Sequence, residues 1–195
     1  MLEAEEKTFI NSVIGLDINN INIADYYDAK YCIENLNIKP DYIINCAAYT
    51  DTNACQDNSD GTLTSYRANV LGAKNLADIC LELNIKLIHI STDYVSSQYR
   101  TAQTFEFPIN TYGLHKLLGE KYIELCFKHK PKSYMIIRTS WLYGPNSNNK
   151  TFIHKFIKNC HNALSTGTNT VYVTDECFGR PTSTIYLSSF ISKAI

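Results

Sequence analysis

The sequence lacks the features that mark several large classes of protein. Its 195 residues contain no apolar run of membrane-spanning length, and the start, MLEAEEKTF, is acidic and polar where a secretory signal would be basic and then apolar. The seven cysteines never form C-x-x-C, which argues against a zinc site and against a disulfide framework. The net charge is −1, and Lys and Arg are scattered along the chain. We therefore expect a cytoplasmic protein that holds no metal and binds neither membrane nor nucleic acid.

The composition that is present is ordinary for a globular chain. Hydrophobic residues make up 45% of the sequence and charged residues 19%. No internal repeat, low-complexity tract or linker divides it, so one domain with a substantial core is expected. A small polar or anionic ligand remains open.

Continuous apolar runs, rather than alternating ones, suggest strands that are buried on both faces, as in a parallel sheet. Four runs have this character, and a fifth is weaker. They are SVIGLDI near Val13, DYIINCAA near Ile43, IKLIHIST near Ile88, YMIIRTS near Ile136 and the weaker TVYVT near Val171.

Helical patterns lie between these runs, at residues 25–37, 63–84, 112–127 and 152–160. In the second of them, apolar residues recur at helical spacing at Leu71, Leu76, Ile79 and Leu83. Strand alternating with helix predicts a doubly wound, mostly parallel α/β sheet.

Small polar clusters follow three of the predicted strands directly. They are residues 47–50, 91–94 and 139–141. Because such a sheet binds ligands outside the carboxyl ends of its strands, the three clusters are expected to line one edge and to form the binding site.

Two tyrosines are followed by a lysine four residues later, which places each pair on one face of a helix. A tyrosine beside a lysine can pass a proton to a carbonyl group, but the composition alone predicts about one such pair by chance. Tyr112 and Lys116 follow Pro108, so their helix is expected to begin at the edge that carries the polar clusters. Tyr26 and Lys30 belong to a short polar helix and are predicted to be solvated surface.

Six segments resemble the motifs of one known family in order and in approximate spacing. They are INCAAYT, NVLGAKNLA, HISTDYV, FPINTYGLHKLLGEK, RTSWLYG and FGRPT. The family is that of the dTDP-4-dehydrorhamnose reductases, which are extended short-chain dehydrogenase/reductases, and the resemblance runs from about Leu16 to Thr182. It implies a Rossmann-like fold, a place in dTDP-rhamnose biosynthesis, and transfer of hydride from NADPH or NADH to the 4-keto carbon of a dTDP-linked 6-deoxy sugar.

The resemblance also implies roles for three catalytic residues. Tyr112 donates the proton, Lys116 supplies positive charge that favours the tyrosinate and also holds the nicotinamide ribose, and Thr92 orients the substrate carbonyl. An ordinary strand end at Thr92 stays open as the alternative.

Further residues are assigned to binding by the same resemblance. Beside Tyr112 and Lys116, the cofactor-binding positions are Asp17, Ile18, Ala47, Ala48 and Thr50. The substrate-binding positions are Asp93, Tyr94 and Trp141, whose flat ring could cover a sugar or base. A core position for Trp141 stays open, and Asn69 is expected to fix a helix rather than to touch ligand.

One motif of the family is absent from the sequence. The family opens with a strand and a glycine-rich turn that receives the cofactor pyrophosphate at a helix N-terminus, whereas the eight glycines here contain no G-x-x-G-x-x-G. Residues 1–195 are therefore expected to form a single incomplete dinucleotide-binding domain that lacks the first strand and this turn, with the carboxy-terminal substrate lobe mostly absent. Such a chain is expected to bind dinucleotide weakly.

Two interpretations of function stay open. The first is a truncated nucleotide-sugar 4-ketoreductase, whose partners are the nucleotide-sugar substrate and either a second copy of the chain or a complementing fragment. The second is a non-catalytic regulatory or binding protein, like the regulatory beta subunit of methionine adenosyltransferase, which has this family fold, or a degenerate fragment. Retention of Thr92, Tyr112 and Lys116 favours the first, and the missing turn favours the second.

Overall fold

The computed structural model describes residues 10–96, 108–145, 151–173 and 179–195. The chain groups into two compact units. The larger unit is residues 14–138, and the smaller unit is residues 139–195 with the stretch that ends at Val13. Among the described residues, no helix combines the length and the apolar character needed to cross a membrane.

Strands and helices alternate along the larger unit. Its elements are α1 (Tyr26–Glu34), β1 (Tyr42–Asn45), α2 (Thr52–Asp57), α3 (Ser59–Ser65), a π-helical turn (Tyr66–Leu71), α4 (Gly72–Leu83), β2 (Lys86–Thr92), a 3₁₀ turn (Asp93–Val95), α5 (Thr111–Cys126) and a second 3₁₀ turn (Pro131–Ser133). β3 (Tyr134–Tyr143) begins in the larger unit and ends in the smaller one, where α6 (Phe152–Ser165), β4 (Pro181–Ser183) and α7 (Thr184–Ala194) follow.

The strands are arranged in the order β1-β2-β3-β4. β1 pairs in parallel with β2, so that Asn45 lies opposite His89 at the carboxyl end of β1. In the smaller unit, the end of β3 pairs in parallel with β4, and Tyr143 lies opposite Ser183. The parallel pairing and the flanking helices confirm the predicted doubly wound α/β class.

The core of the larger unit lies between α1, α4, α5 and the neighbouring strands. Its buried side chains are Ala29, Ile33, Ala73, Leu76, Ala77, Ile79, Cys80, Ile85, Leu87, Ile123 and Phe127. Burying each of the Leu, Ile and Phe side chains stabilises the fold by roughly 1.5–3 kcal/mol. Because α5 and β2 share this core, the residues at the start of α5 are held against the end of β2.

The start of α5 is set by two local features. Asn110 is the N-cap, and its side-chain oxygen accepts a hydrogen bond of 2.8 Å from the Gly113 backbone N–H. Gly113 also passes so close to the Tyr94 carbonyl that a Cβ at this position would collide with the carbonyl oxygen. The helix therefore begins one residue before Tyr112, close to the predicted boundary.

Two predicted strands are wrong. SVIGLDI forms no strand, and residues 171–173 of TVYVT form none either, while Thr174 lies outside the described residues. Val13 is 82% exposed and Tyr172 is 94% exposed. A strand of this kind needs a neighbouring strand and a covered face, and neither run has them in the described structure.

The longest predicted helix, residues 63–84, is part of a continuous helical stretch from Ser59 to Leu83. No sequence pattern predicted the π-helical turn in the middle of this stretch, where the Gly72 N–H donates to the carbonyl of Arg67, five residues back. Such turns are rare and often lie at functional sites. The sequence patterns also did not predict α2, β4 and α7.

Candidate active site

Thr92 and Tyr112 meet at the carboxyl end of β2. The Thr92 hydroxyl acts on the Tyr112 phenol and lowers its pKa. Thr92 is the last residue of β2 and is 8% exposed, and its Oγ1 accepts a bond of 3.3 Å from the Tyr94 N–H. The rings of Tyr94 and Tyr112 pack edge to face with 6.1 Å between their centroids. These contacts fix the phenol of Tyr112 at the end of the strand.

The surroundings of Tyr112 keep its hydroxyl protonated. Burial raises the pKa of Tyr112 to about 12, the Thr92 hydrogen bond lowers it, and the nearby Cys55, Tyr94 and Asp93 raise it further. A phenol with this pKa carries its proton throughout the neutral range. It can therefore donate a proton, but it is not a base at rest.

Lys116, one helical turn beyond Tyr112, is buried at 1% exposure. Its Nζ donates a hydrogen bond of 2.7 Å to the carbonyl oxygen of Ile90 and lies 3.2 Å from Nε2 of His89. Burial lowers the pKa of Lys116 to about 8, although Glu120 and Cys46 act in the opposite direction. Lys116 therefore lies close to the boundary between ammonium and amine near neutral pH.

Glu120 extends the buried polar side of α5 by one more turn. Its carboxylate is fully buried and pairs with Arg138 of β3, with 2.6 Å between Nη2 and Oε2. The ion pair supplies the charge partner that a buried carboxylate needs. It also ties α5 to β3 inside the larger unit.

The loop that follows β1 is largely exposed. Ala47 and Thr50 are exposed, and Ala48 is half-buried. The buried Asn69 clamps the loop, because its Oδ1 accepts from the Tyr49 N–H at 3.0 Å and its Nδ2 donates to the Tyr49 carbonyl at 2.9 Å. Asn69 lies in the π-helical turn, so this irregular turn positions the loop.

Other predicted residues make contacts of their own. Asp17 and Ile18 are exposed in a turn before α1, where the Asp17 carboxylate accepts from the Asn19 N–H at 2.9 Å. Trp141 belongs to the smaller unit, where it has a positive φ of 42° and its ring packs on Phe152 at 4.8 Å.

The Trp141 ring also lines a hollow of about 260 Å³ in the smaller unit. Its other walls are Phe152, Lys155, Phe156, Asn159 and residues 171–173.

In the larger unit, the structure brings Thr92, Asp93, Tyr94, Tyr112 and Lys116 together around the end of β2. The roles assigned to all of these residues stay predictions.

Comparison with known proteins places the chain in a family. The model of the family described as "RmlD substrate binding domain" matches residues 3–195. The chain belongs to the RmlD family.

RmlD-type relatives with curated names include two bacterial reductases. A "dTDP-4-keto-6-deoxy-D-glucose reductase" of Streptomyces niveus is 31% identical over 183 residues, which cover 92% of this chain and 58% of the relative. A "dTDP-4-dehydrorhamnose reductase" of Mycolicibacterium smegmatis is 33% identical over 138 residues, which cover 68% of this chain and 39% of the relative. The chain thus spans 58% or less of the length of these two relatives.

Solved structures agree with the RmlD fold. A dTDP-4-dehydrorhamnose reductase of Clostridium acetobutylicum superposes with a TM-score of 0.76 at 29% identity, over 92% of this chain and 60% of that one. The reductase of Bacillus anthracis, solved in complex with NADP, gives a TM-score of 0.70 at 29% identity, over 91% and 59%.

Two residues at the site of this RmlD-family chain were missed by the sequence analysis. Asn45 and His89 are both buried, and they contact each other through Asn45 Nδ2 and His89 Nδ1 at 3.0 Å. Each interrupts an otherwise apolar strand run, YIIN and LIHIS, and a polar residue at a buried strand position needs a partner. The sequence therefore indicated that Asn45 and His89 need hydrogen-bond partners, but it did not show which residues they contact.

Proposed function

We propose that the chain carries the proton-donating site of an NADPH- or NADH-dependent reductase that acts on the 4-keto group of a dTDP-linked 6-deoxy sugar. The observation that carries the proposal is the position of Tyr112 beside the buried Thr92 at the carboxyl end of a parallel strand, where burial raises the pKa of the Tyr112 hydroxyl. The names of the relatives supply the substrate class.

In this proposal Tyr112 acts as the general acid. A ketone that accepts a hydride at carbon becomes an alkoxide at oxygen, and that oxygen needs one proton. Tyr112 holds its proton at neutral pH because burial raises the pKa of its hydroxyl. Thr92 holds the phenol in place, and the tyrosinate that is left after transfer regains a proton from solvent.

Lys116 has a second part in the proposal. In its ammonium form, a positive charge one helical turn from Tyr112 lowers the cost of forming the tyrosinate. Because its pKa is lowered to about 8, Lys116 can gain or lose that charge near neutral pH. The lysine therefore makes the reactivity of Tyr112 sensitive to pH.

The residues that would hold the dinucleotide fit it in part. Ala47 and Thr50 are exposed on a loop that Asn69 fixes, and Asp17 and Ile18 are exposed as well. Small side chains on a fixed loop allow a ligand to approach the backbone closely. When bound, the reduced nicotinamide supplies the hydride.

The substrate side of the proposal concerns three residues. Asp93 and Tyr94 follow Thr92 directly, which supports a contact of both residues with the sugar near the carbonyl that Tyr112 protonates. Trp141 offers an aromatic ring for a sugar or base. As partners we propose the nucleotide sugar and a second copy of the chain or a complementing fragment.

A direct assay tests the proposal. The purified chain is mixed with NADPH or NADH and dTDP-4-dehydrorhamnose, and consumption of the reduced cofactor is followed together with the mass of the sugar product. Because the relatives are longer, the assay is repeated with a chimera that adds the parts of the Clostridium acetobutylicum reductase that the chain does not cover. The control reaction omits the sugar.

The expected result is sugar-dependent oxidation of the cofactor by the chimera, with a product two hydrogens heavier than the substrate. If neither the chain nor the chimera oxidises the cofactor although both are folded, the proposed reaction is wrong. Cofactor binding without turnover in the chimera would assign a binding role instead.

A further inference from the structure

Asn45, His89 and Lys116 form a continuous line of buried polar contacts in the larger unit. The Ala47 N–H donates to Oδ1 of Asn45 at 3.0 Å, and Nδ2 of Asn45 lies 3.0 Å from Nδ1 of His89. Nε2 of His89 lies 3.2 Å from Nζ of Lys116, which donates to the Ile90 carbonyl at 2.7 Å. The line joins the loop after β1 to the lysine of the site.

The orientation of the Asn45 amide follows from its contact with the loop. A backbone N–H can only donate, so the Asn45 atom that faces Ala47 is the carbonyl oxygen. The amide nitrogen therefore faces His89 and can only donate to it. Nδ1 of His89 must then be the unprotonated, accepting nitrogen of the ring.

This orientation determines the proton on the other side of the ring. Burial lowers the pKa of His89 well below its ordinary value, and a charge on Lys116 would lower it further, so the ring is neutral in either form of the lysine. A neutral ring with a bare Nδ1 carries its hydrogen on Nε2. That N–H points at Nζ of Lys116, and only an unprotonated amine has a lone pair to accept it.

The charged and titratable groups around Lys116 are few in the described chain. His89 faces it from β2, Cys46 from the end of β1, and Glu120 from its own helix, where Arg138 of β3 neutralises the carboxylate. Burial outweighs Glu120 and Cys46 and lowers the pKa of Lys116 to about 8. Burial thus lowers the pKa of Lys116 in the direction that the hydrogen-bond directions require.

We propose that Asn45 and His89 are positioning residues that favour the unprotonated amine of Lys116 over its ammonium form. A proton that the amine takes up from solvent would then force one of two changes. Either the ammonium and the Nε2–H face each other as two donors, or the ring moves its hydrogen to Nδ1. In the second case the Asn45 amide must rotate and leave the Ala47 N–H without its acceptor.

The charge of Lys116 is therefore coupled to the loop that holds Ala47. The consequence for the reaction rests on the proposed function: ligand binding at the loop and proton uptake by the lysine influence each other. The tautomer of His89 and the protonation of Lys116 do not rest on that function, so they can be measured whether or not the chain is a reductase.

Nuclear magnetic resonance of the full chain tests the proposal. With ¹⁵N-labelled histidine, the two ring nitrogens of His89 report the tautomer, and with lysine labelled at ¹³Cε the titration of Lys116 reports its charge. Signals are assigned from spectra of His89→Gln and Lys116→Met. In the unmodified chain we expect the Nε2–H tautomer for His89 and a neutral amine for Lys116 at pH values above about 8.

Asn45→Asp is the decisive variant. A carboxylate of the same shape still accepts from the Ala47 N–H, but it also accepts from His89, so the ring should move its hydrogen to Nδ1. Nε2 then accepts from the ammonium, and the apparent pKa of Lys116 should rise by roughly 1–3 units. A purely structural role for Asn45 predicts neither change.

The controls separate a local effect from a general one. His115, which is bonded to Ser65 at 2.9 Å, should keep its tautomer in Asn45→Asp. Asn58→Asp adds the same charge at the N-cap of α3 and should leave both His89 and Lys116 unchanged. An Nδ1–H tautomer in the unmodified chain, or an unaltered Lys116 titration in folded Asn45→Asp, would overturn the proposal. If Asn45→Asp does not fold, the tautomer in the unmodified chain decides.

Discussion

Two helices of this chain carry a tyrosine and, four residues later, a lysine, yet the pairs lie in opposite surroundings. On α1, Tyr26 Oη and Lys30 Nζ each donate a hydrogen bond of 2.6 Å to one carboxylate, that of Glu82. On α5, Thr92 lowers the pKa of Tyr112, and Lys116 donates to the Ile90 carbonyl. The first pair is half-buried and ties α1 to α4, whereas the second combines a half-buried tyrosine with a fully buried lysine near a strand end.

The pKa shifts of the two lysines run in opposite directions. The hydrogen bond to Glu82 raises the pKa of Lys30, whereas burial lowers the pKa of Lys116 to about 8. Both tyrosines have a raised pKa, but the hydrogen bond to Glu82 is the main cause for Tyr26 and burial is the main cause for Tyr112. Spacing decides that two side chains share a helix face. The partners and the loss of water decide what those side chains can do.

The largest difference between the pairs should be seen in catalysis. In a chain or chimera that reduces the sugar, Tyr112→Phe should lower the rate by about a hundred- to ten-thousand-fold, because the proton donor is lost. Binding of the cofactor, measured by calorimetry, should change little. Tyr26→Phe is the matched control and should keep the full rate. If Tyr112→Phe and Tyr26→Phe both keep the full rate, the Tyr112 hydroxyl is not the proton donor.

The second difference should appear in the dependence of stability on pH. Between pH 8 and pH 10 folded Lys116 has released its proton, whereas the unfolded lysine keeps it, so the free energy of unfolding should rise with pH. The contribution is at most about 1.4 kcal/mol per pH unit. Urea unfolding measures it as the difference between the unmodified chain and Lys116→Met.

Lys30→Met serves as the control for this pH dependence. The pKa of Lys30 is raised, so both its folded and unfolded forms stay charged between pH 8 and pH 10. The slope of stability against pH should therefore survive in Lys30→Met. A slope that also survives in Lys116→Met would show that Lys116 is not its source.

A third difference concerns the residue after each tyrosine. Gly113→Ala should destabilise the fold by about 1–3 kcal/mol, because the new Cβ meets the Tyr94 carbonyl. At the equivalent place on α1, Tyr27 is 81% exposed, and Tyr27→Ala should change stability by about 0.5 kcal/mol or less. Urea unfolding of both variants compares them directly. If both variants lose a similar amount of stability, the backbone shifts enough to relieve the contact between the new Cβ and the Tyr94 carbonyl.

The smallest effect is expected from the exposed carboxylate. Glu82→Gln weakens the contacts of Tyr26 and Lys30 without burying a charge, so global stability should hardly change. Faster hydrogen exchange of the α1 amides would report a looser helix at low salt, and the effect should fade as salt is added. A large loss of global stability would mean that this pair matters as much as the buried one.

Local patterns were sufficient for the part of the fold that surrounds the site. The apolar runs near Ile43 and Ile88 are strands, and α5 begins within one residue of the predicted start, because Asn110 and Gly113 act locally. The runs near Val13 and Val171 have the same composition but no neighbouring strand in the described structure. An apolar run reports the tendency to be buried, and whether a partner exists depends on the rest of the chain.

The candidate site was predictable in its residue types and less so in its contacts. The spacing placed Tyr112 and Lys116 on one face, and the strand end placed Thr92 nearby. No local pattern could show that Nζ of Lys116 donates to the Ile90 carbonyl, or that His89 separates it from Asn45. Those contacts join residues 26 to 44 positions apart in the sequence, so only the folded chain reveals them.

The π-helical turn changes the phase of the helix that contains it. An α-helix rotates by about 100° per residue, so one additional residue in a turn rotates everything downstream by that amount. Leu71, which was counted with Leu76 and Ile79 on one apolar stripe, is only half-buried, whereas the other two are buried. Loss of one residue from this turn would restore a regular helix and rotate the residues before the turn by about 100° relative to those after it. It would also move the Asn69 amide away from Tyr49, so the loop after β1 would lose both of its hydrogen bonds to Asn69.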